Sequence, residues 1–134
     1  MAALTTAHAK AGLDFLPALM RGILCNVLVC LAVWLCYSAR STADRILCIV
    51  PPITAFVAAG FEHSVANMYL LPLGLLIKYF GVDRFWQLIG GSSADYPSLT
   101  IGALIDNLVP VTIGNMIGGG LLVGAVYWFV YLRR

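Results

Sequence analysis

Three long apolar stretches, joined by shorter polar segments, dominate the pattern of hydrophobic and polar positions along the chain. Their apolar residues run continuously instead of alternating, which favours helices over the strands of a membrane barrel. A helix needs about 20 apolar residues to cross a hydrocarbon core of about 30 Å. We therefore predict an all-α membrane protein with three transmembrane helices, over residues 16–38, 46–80 and 108–132.

The middle stretch, 46–80, is too long for one span of ordinary tilt and too short for two spans with a connection. Pro51 and Pro52 stiffen its first half, and Gly60 with the polar letters EHSVANM interrupts its centre. Such an interrupted segment is typical of a discontinuous transmembrane helix whose unwound centre lines a pathway. The sequence predicts that this helix is broken near residues 60–66.

Composition agrees with a membrane protein and argues against several other classes. The chain is 61% hydrophobic and only 10% charged, with a mean hydropathy of +0.93 and a net charge of +2. The basic residues are scattered, which does not favour nucleic acid as a partner. The four cysteines match no zinc or redox spacing, and no enzyme motif is present, so we expect no metal, no cofactor and no enzymatic activity.

Glu62 and His63 stand side by side inside the apolar run and are candidate pore residues. Ionisable groups at bilayer depth are costly and often mark a pathway, a relay or a ligand site. They can also simply hydrogen-bond unwound backbone. Histidine is the better candidate to face a pore, because its charge changes near neutral pH and its ring can donate a hydrogen bond to an anion. Glu62 is expected to hold the break or to tune the histidine. For Asn26 and Asn115, deep in the other spans, an interhelical hydrogen bond is as plausible as a role in a pore.

Three motifs in a fixed order carry a resemblance to a known family. They are GILCNVLVCLAVW, then GFEHSVANM followed by LPLG, then NLVPVTIGNMIGGGLLVG followed by YWFVYLR. Together they extend from about Gly22 to Arg133 and resemble the formate/nitrite transporter family, most of all its formate channels. The resemblance implies an aquaporin-like protomer of six helices, built as two inverted repeats of three. Residues 1–134 would be the C-terminal half of this domain, the second repeat.

The same resemblance implies roles for particular residues. His63 corresponds to the central pore histidine of the family, and Val29 and Phe56 align with apolar constriction residues. Asn115 matches a polar residue on the pore side. Counting back without gaps from GILCN places Lys10 on the anion-attracting lysine of the outer vestibule.

The function that this resemblance implies is a transmembrane channel or transporter for small monovalent anions, with formate as the first choice. Nitrite and hydrosulfide channels share the motifs, so these substrates stay open. A non-conducting fragment is a further alternative, because the first three helices of the pore are not in these 134 residues. The resemblance also implies a homopentamer, in the lipid bilayer of the inner (cytoplasmic) cell membrane. The denser basic set, Arg40, Arg45, Arg133 and Arg134, is placed on the cytoplasmic side.

Overall fold

The computed structural model describes residues 1–133, so Arg134 lies outside the description. All regular elements within these residues are helical. The six α-helices are α1 (Ala2–Ala11), α2 (Phe15–Cys36), α3 (Thr42–Ala58), α4 (Ser64–Phe80), α5 (Asp83–Ile89) and α6 (Ile101–Met116). A short 3-10 turn, Ser93–Asp95, lies between α5 and α6. The prediction of an all-α fold is therefore confirmed.

Two helical segments are long and apolar enough to cross a membrane: Phe15–Cys36, with 22 residues, and Ile101–Leu132, with 32 residues. Helices α4 and α5 meet the same criteria only together, and they are bent by 110° where they join. Within the described residues, length and composition thus allow two spans, or three if the bent pair counts as one.

The middle apolar stretch is interrupted, as predicted. Helix α3 ends at Ala58 and α4 begins at Ser64, and each contains 17 residues. Gly60, in the gap, has a φ of 64°, a backbone conformation that a residue with a Cβ rarely adopts. The prolines of this region, Pro51, Pro52 and Pro72, lie inside the two helices. The glycine, and not a proline, therefore marks the break.

The last helix begins at Ile101, well before the predicted start at residue 108. Its first turn is stabilised by Thr100, whose hydroxyl accepts a hydrogen bond from the backbone N–H of Ala103 at 3.0 Å. After α6, the chain continues in wider π-helical turns over Ile117–Ala125 and Trp128–Leu132. The residues just before position 108 thus belong to the last helix and not to the segment that connects it to α5.

The start of α3 carries a side-chain cap. The Ser41 hydroxyl accepts a hydrogen bond from the Asp44 backbone N–H, and the Asp44 carboxylate accepts one from the Ser41 backbone N–H. These bonds to Ser41, with another from the Arg40 backbone, lower the pKa of the Asp44 carboxyl below its usual value. This turn precedes the apolar part of the helix.

Helices α2 and α6 pack closely because glycines line their contact. A Cβ at Gly22 would lie 2.8 Å from the carbonyl oxygen of Val111 on α6. A Cβ at Gly114 would clash with the carbonyl oxygen of Leu19, and one at Gly118 would clash with that of Ile23. The two backbones are therefore in direct contact, which small residues at a helix contact allow.

Helix α1 was not predicted from the sequence. It packs against α4 and the segment before α6 through Leu4 and Ala7, which are buried among Leu71, Leu75 and Leu99. This packing holds the C-terminal end of α1, and with it Lys10, beside the break in the middle stretch.

Candidate functional site

The break places Glu62 and His63 in backbone without regular secondary structure. His63 has φ and ψ of −114° and 120° and directly precedes α4. Glu62 is buried, with only 2% of its surface exposed, whereas His63 is half-buried. The two neighbours therefore have different surroundings.

Both oxygens of the Glu62 carboxylate have a partner inside the protein. Its Oε1 lies 2.8 Å from the Nζ of Lys10, and its Oε2 accepts a hydrogen bond of 2.6 Å from the side-chain amide of Asn67. The backbone N–H of Glu62 also donates to the carbonyl of Arg21 on α2, at 3.4 Å. Because a buried charge is tolerated only when it is paired and hydrogen-bonded, these contacts keep the carboxylate in place.

Asn115 joins the break to two helices. Its Oδ1 accepts hydrogen bonds from the backbone N–H and the hydroxyl of Ser64, at 2.9 and 3.0 Å. Its Nδ2 donates to the carbonyl oxygens of Gly22 and Glu62, at 2.8 and 3.1 Å. A side-chain amide has two acceptor positions and two donor hydrogens, so this one is fully used. Asn115 therefore braces the unwound backbone.

Asn26 makes the interhelical hydrogen bond that was one of its two expected roles. Its Nδ2 donates to the carbonyl oxygen of Asn115 at 2.6 Å, which links α2 to α6. The same amide fills the space opposite Gly119, where a Cβ would clash with it. Asn26 thus supports the packing of the helix that carries Asn115.

His63 has a defined tautomer in this geometry. Its Nδ1 accepts a hydrogen bond of 3.2 Å from the backbone N–H of Val65 in the first turn of α4. An imidazole nitrogen that accepts carries no proton, so the proton of the neutral ring is on Nε2. The ring of Phe56, near the end of α3, lies 6.1 Å from the imidazole ring between centroids. The break therefore combines a polar N–H donor with an aromatic neighbour.

A cavity of about 310 Å³ opens between α1, α2 and the break. Its lining includes Lys10, Arg21, Gly60 and Glu62. Two cationic side chains and one carboxylate leave a formal excess of one positive charge at its wall. Such a basic recess attracts small anions.

The structure brings together most of the candidate residues. Lys10, Glu62 and Asn115 are linked through hydrogen bonds at the break, and Phe56 faces His63. Val29 is half-buried on α2, and its place at a constriction stays a prediction.

Two buried residues at this site were not singled out from the sequence. Asn67 and Asn107 are 0% and 1% exposed and hydrogen-bond to each other. Asn67 also donates to Glu62 at the break, and Asn107 donates to the backbone carbonyl of Lys10 on α1. Only their position as amides in apolar helical runs could have drawn attention to them.

Comparison with known proteins identifies the family. The family model described as formate/nitrite transporter matches residues 1–129. The formate channel FocA of Escherichia coli K12 is 50% identical over 132 residues, which cover 98% of this chain and 46% of that protein. The formate channel FocB of the same strain is 43% identical over 135 residues, covering 100% of this chain and 48% of that protein. The chain belongs to the formate/nitrite transporter family.

A solved structure supports the same assignment for the fold. A pentameric formate channel with formate bound matches with a TM-score of 0.90 and 44% sequence identity, over 98% of this chain and 52% of that one. The chain therefore spans about half the length of the relatives that it matches. These relatives are membrane channels and not enzymes, and the helical fold of this chain corresponds to half of such a protomer.

Proposed function

We propose that this chain forms the half of a formate-conducting pore that carries the central histidine. The observation that supports this most strongly is the geometry of His63, whose Nδ1 is held by the Val65 N–H and whose Nε2–H is a donor. The family relatives named as formate channels make formate the first substrate to consider. In this proposal Val29 and Phe56 form the apolar constriction, and His63 meets the anion there.

Formate must lose most of its hydration to pass between apolar side chains. Leaving a charge unpaired in such surroundings is very costly, and a hydrogen-bond donor offsets part of that cost. His63 supplies a donor at the break without adding a fixed charge. A weakly held anion can leave the site again, which conduction requires.

The tautomer also bears on whether the anion crosses with a proton. A neutral imidazole donates its Nε2 hydrogen in a hydrogen bond but is a very poor acid, because loss of that proton leaves an imidazolate. Transfer of a proton to formate first requires His63 to become protonated at Nδ1, which breaks its bond to the Val65 N–H. We therefore propose passage of formate by hydrogen bonding to a neutral ring as the basal route, with proton-linked passage requiring the bond between His63 Nδ1 and the Val65 N–H to break.

The basic recess would act as the entrance to this pore. Lys10 and Glu62 neutralise each other, so the carboxylate does not repel anions strongly, and Arg21 supplies the excess positive charge that raises the local concentration of small anions. Asn115 contributes by holding the break, since its amide is fully bonded to protein. The same site would accept nitrite or hydrosulfide on the basis of charge and size. We further propose a homopentamer in the inner membrane, which the pentameric relative supports.

The test is uptake of formate, nitrite and hydrosulfide into proteoliposomes that contain either this chain alone or this chain joined to the first half of Escherichia coli FocA. We expect formate uptake from the completed protein and none from the chain alone. The relatives are about twice as long as this chain, which favours this outcome.

A stable pentamer of the completed protein that carries none of the three anions would contradict the proposal and favour a non-conducting membrane piece. Preference for nitrite or hydrosulfide over formate would keep the pore and correct its substrate. Uptake by the chain alone would show that three helices assemble a pore without a first repeat.

A further inference from the structure

Four residues from separate parts of the chain form a closed circuit of hydrogen bonds behind the break. Lys10 Nζ donates to Glu62 Oε1 at 2.8 Å, and Asn67 Nδ2 donates to Glu62 Oε2 at 2.6 Å. Asn67 Nδ2 also donates to Asn107 Oδ1 at 2.8 Å, and Asn107 Nδ2 donates to the backbone carbonyl of Lys10 at 2.9 Å. The circuit therefore connects α1, the break, α4 and α6.

The backbone carbonyl of Lys10 fixes the direction of this circuit, because it can only accept. Asn107 must present its NH2 group to that carbonyl, which turns its Oδ1 towards Asn67. Asn67 must then present its NH2 group to Asn107, and the second hydrogen of the same group reaches Glu62. The orientation of both amides follows from one carbonyl group.

This orientation leaves one group without a partner. The Oδ1 of Asn67 is buried and accepts no hydrogen bond within the described residues. If the oxygen and nitrogen of the Asn67 amide exchanged places, both hydrogen bonds would be lost. The Asn67 oxygen would then face two other acceptors, Asn107 Oδ1 and Glu62 Oε2. The unpaired oxygen thus accompanies an arrangement in which the Asn67 NH2 group gives one hydrogen to the Glu62 carboxylate and the other to Asn107.

We infer that Asn107 is a positioning residue for the proposed pore site: it orients the Asn67 amide and holds the end of α1, so that Glu62 receives donors from both Asn67 and Lys10. Glu62 directly precedes His63, so the position of its carboxylate fixes the backbone that presents the imidazole. This role rests on the proposed function. Asn107 itself lies on α6, at 1% exposure, and acts through Asn67 and the Lys10 carbonyl.

The substitution Asn107→Asp tests this role through pH. An ionised aspartate has no hydrogen to give to the Lys10 carbonyl, so the circuit opens. A protonated aspartate has the donor and acceptor pattern of asparagine, with an O–H for the carbonyl of Lys10 and a C=O for Asn67. Asn107→Leu removes both the donor and the acceptor, so the hydrogen-bond circuit stays open at every pH. Asp106→Asn, an exposed neighbour on the same helix, changes charge without touching the circuit and is the matched control.

The first measurement is formate uptake by the completed protein from neutral to acidic pH, with each variant compared with the unsubstituted protein at the same pH. We expect a loss of about tenfold for Asn107→Asp at neutral pH, the size of effect that follows from losing one buried hydrogen bond. Uptake by this variant recovers as the pH falls, uptake by Asn107→Leu stays low, and Asp106→Asn follows the unsubstituted protein. If uptake by Asn107→Asp stays at the same fraction of the uptake by the unsubstituted protein at all pH values, the inference is overturned.

The second measurement does not depend on transport. Solid-state NMR on this chain in bilayers reports the distance from Lys10 Nζ to the Glu62 side-chain carboxyl carbon. We expect this contact in the unsubstituted chain and in acidified Asn107→Asp, and its loss in neutral Asn107→Asp. A contact that persists in neutral Asn107→Asp would overturn the positioning role. If the unsubstituted completed protein carries no formate, the proposed function fails while this distance still decides the role of Asn107.

Discussion

The Nζ of Lys10 lies 2.8 Å from Oε1 of Glu62, and this ion pair joins α1 to the break between α3 and α4 across 52 positions of sequence. The Lys10 side chain is 15% exposed, whereas that of Glu62 is 2% exposed. The carboxylate is therefore the partner that depends on the pair for neutralisation, while Lys10 keeps access to the basic recess. A helix at the start of the chain thus contributes directly to the candidate site.

We expect Lys10→Met to lower the free energy of unfolding by more than the loss of one hydrogen bond would. The substitution leaves the Glu62 carboxylate buried without a counter-ion, and breaking a buried pair in this way costs about 3 kcal/mol. Unfolding of the chain in mixed detergent micelles measures this cost. Lys78→Met is a useful comparison, because Lys78 is also partly buried but donates to the carbonyls of Tyr96 and Leu99 and not to a carboxylate.

The double variant Lys10→Met with Glu62→Gln separates charge from packing. It removes both charges and keeps an acceptor for Asn67, so most of the lost stability returns. If the double variant is less stable than Lys10→Met alone, the buried charge is not the cause of the loss.

Gly60→Ala is expected to weaken the break through the backbone alone. Nothing lies within 4 Å of a Cβ at this position, so there is no steric clash with neighbouring residues. The φ of 64° is unfavourable for alanine by about 1–2 kcal/mol. Thermal unfolding monitored by circular dichroism measures the difference. Gly102→Ala, in the first turn of α6 with only an ordinary contact to Thr100, should leave stability unchanged or raise it.

Gly114→Ala tests the close contact of α2 and α6. A Cβ here meets the carbonyl oxygen of Leu19, which is backbone and cannot rotate away, so the two helices must separate. We expect a loss of about 1–3 kcal/mol in the free energy of unfolding. Gly120→Ala, also in the last helix but with nothing within 4 Å, is the control. Equal stability of the two variants would contradict the close packing.

The long apolar runs were sufficient to predict α2, the last helix and the interruption of the middle stretch. Gly60 and the polar letters after it placed the break close to where α3 ends and α4 begins. These features are local, since length, hydropathy and a single glycine specify them. The start of the last helix was wrong because the cap at Thr100 outweighs the polar composition that follows it.

Helix α1 was missed because its sequence is short and only weakly amphipathic. Its stability comes from Leu4 and Ala7 packing on helix α4, which includes Gly74, where any larger residue would clash with Ala7. Most helical stability in proteins comes from such tertiary contacts, and they are not visible in a ten-residue pattern.

The site could be predicted only where a residue type is conspicuous by itself. Glu62 and His63 stood out because ionisable groups are costly in an apolar run. Asn67 and Asn107 did not, because an amide in a helix needs partners but does not identify them. Asn67 is 40 positions away from its partner Asn107, and Asn107 is 97 positions away from its partner Lys10. Only the packing of α1, α4 and α6 brings these residues together.

The most direct test of the central claim, that His63 meets formate as a neutral hydrogen-bond donor, compares His63→Phe with His63→Gln in the protein completed with the first half of Escherichia coli FocA. Phenylalanine fills the site without a hydrogen-bond donor, whereas glutamine offers a neutral N–H donor that does not titrate. Formate uptake into proteoliposomes should be lost in His63→Phe and largely retained in His63→Gln. Uptake that is unchanged in His63→Phe, or abolished equally in both variants, would contradict the account.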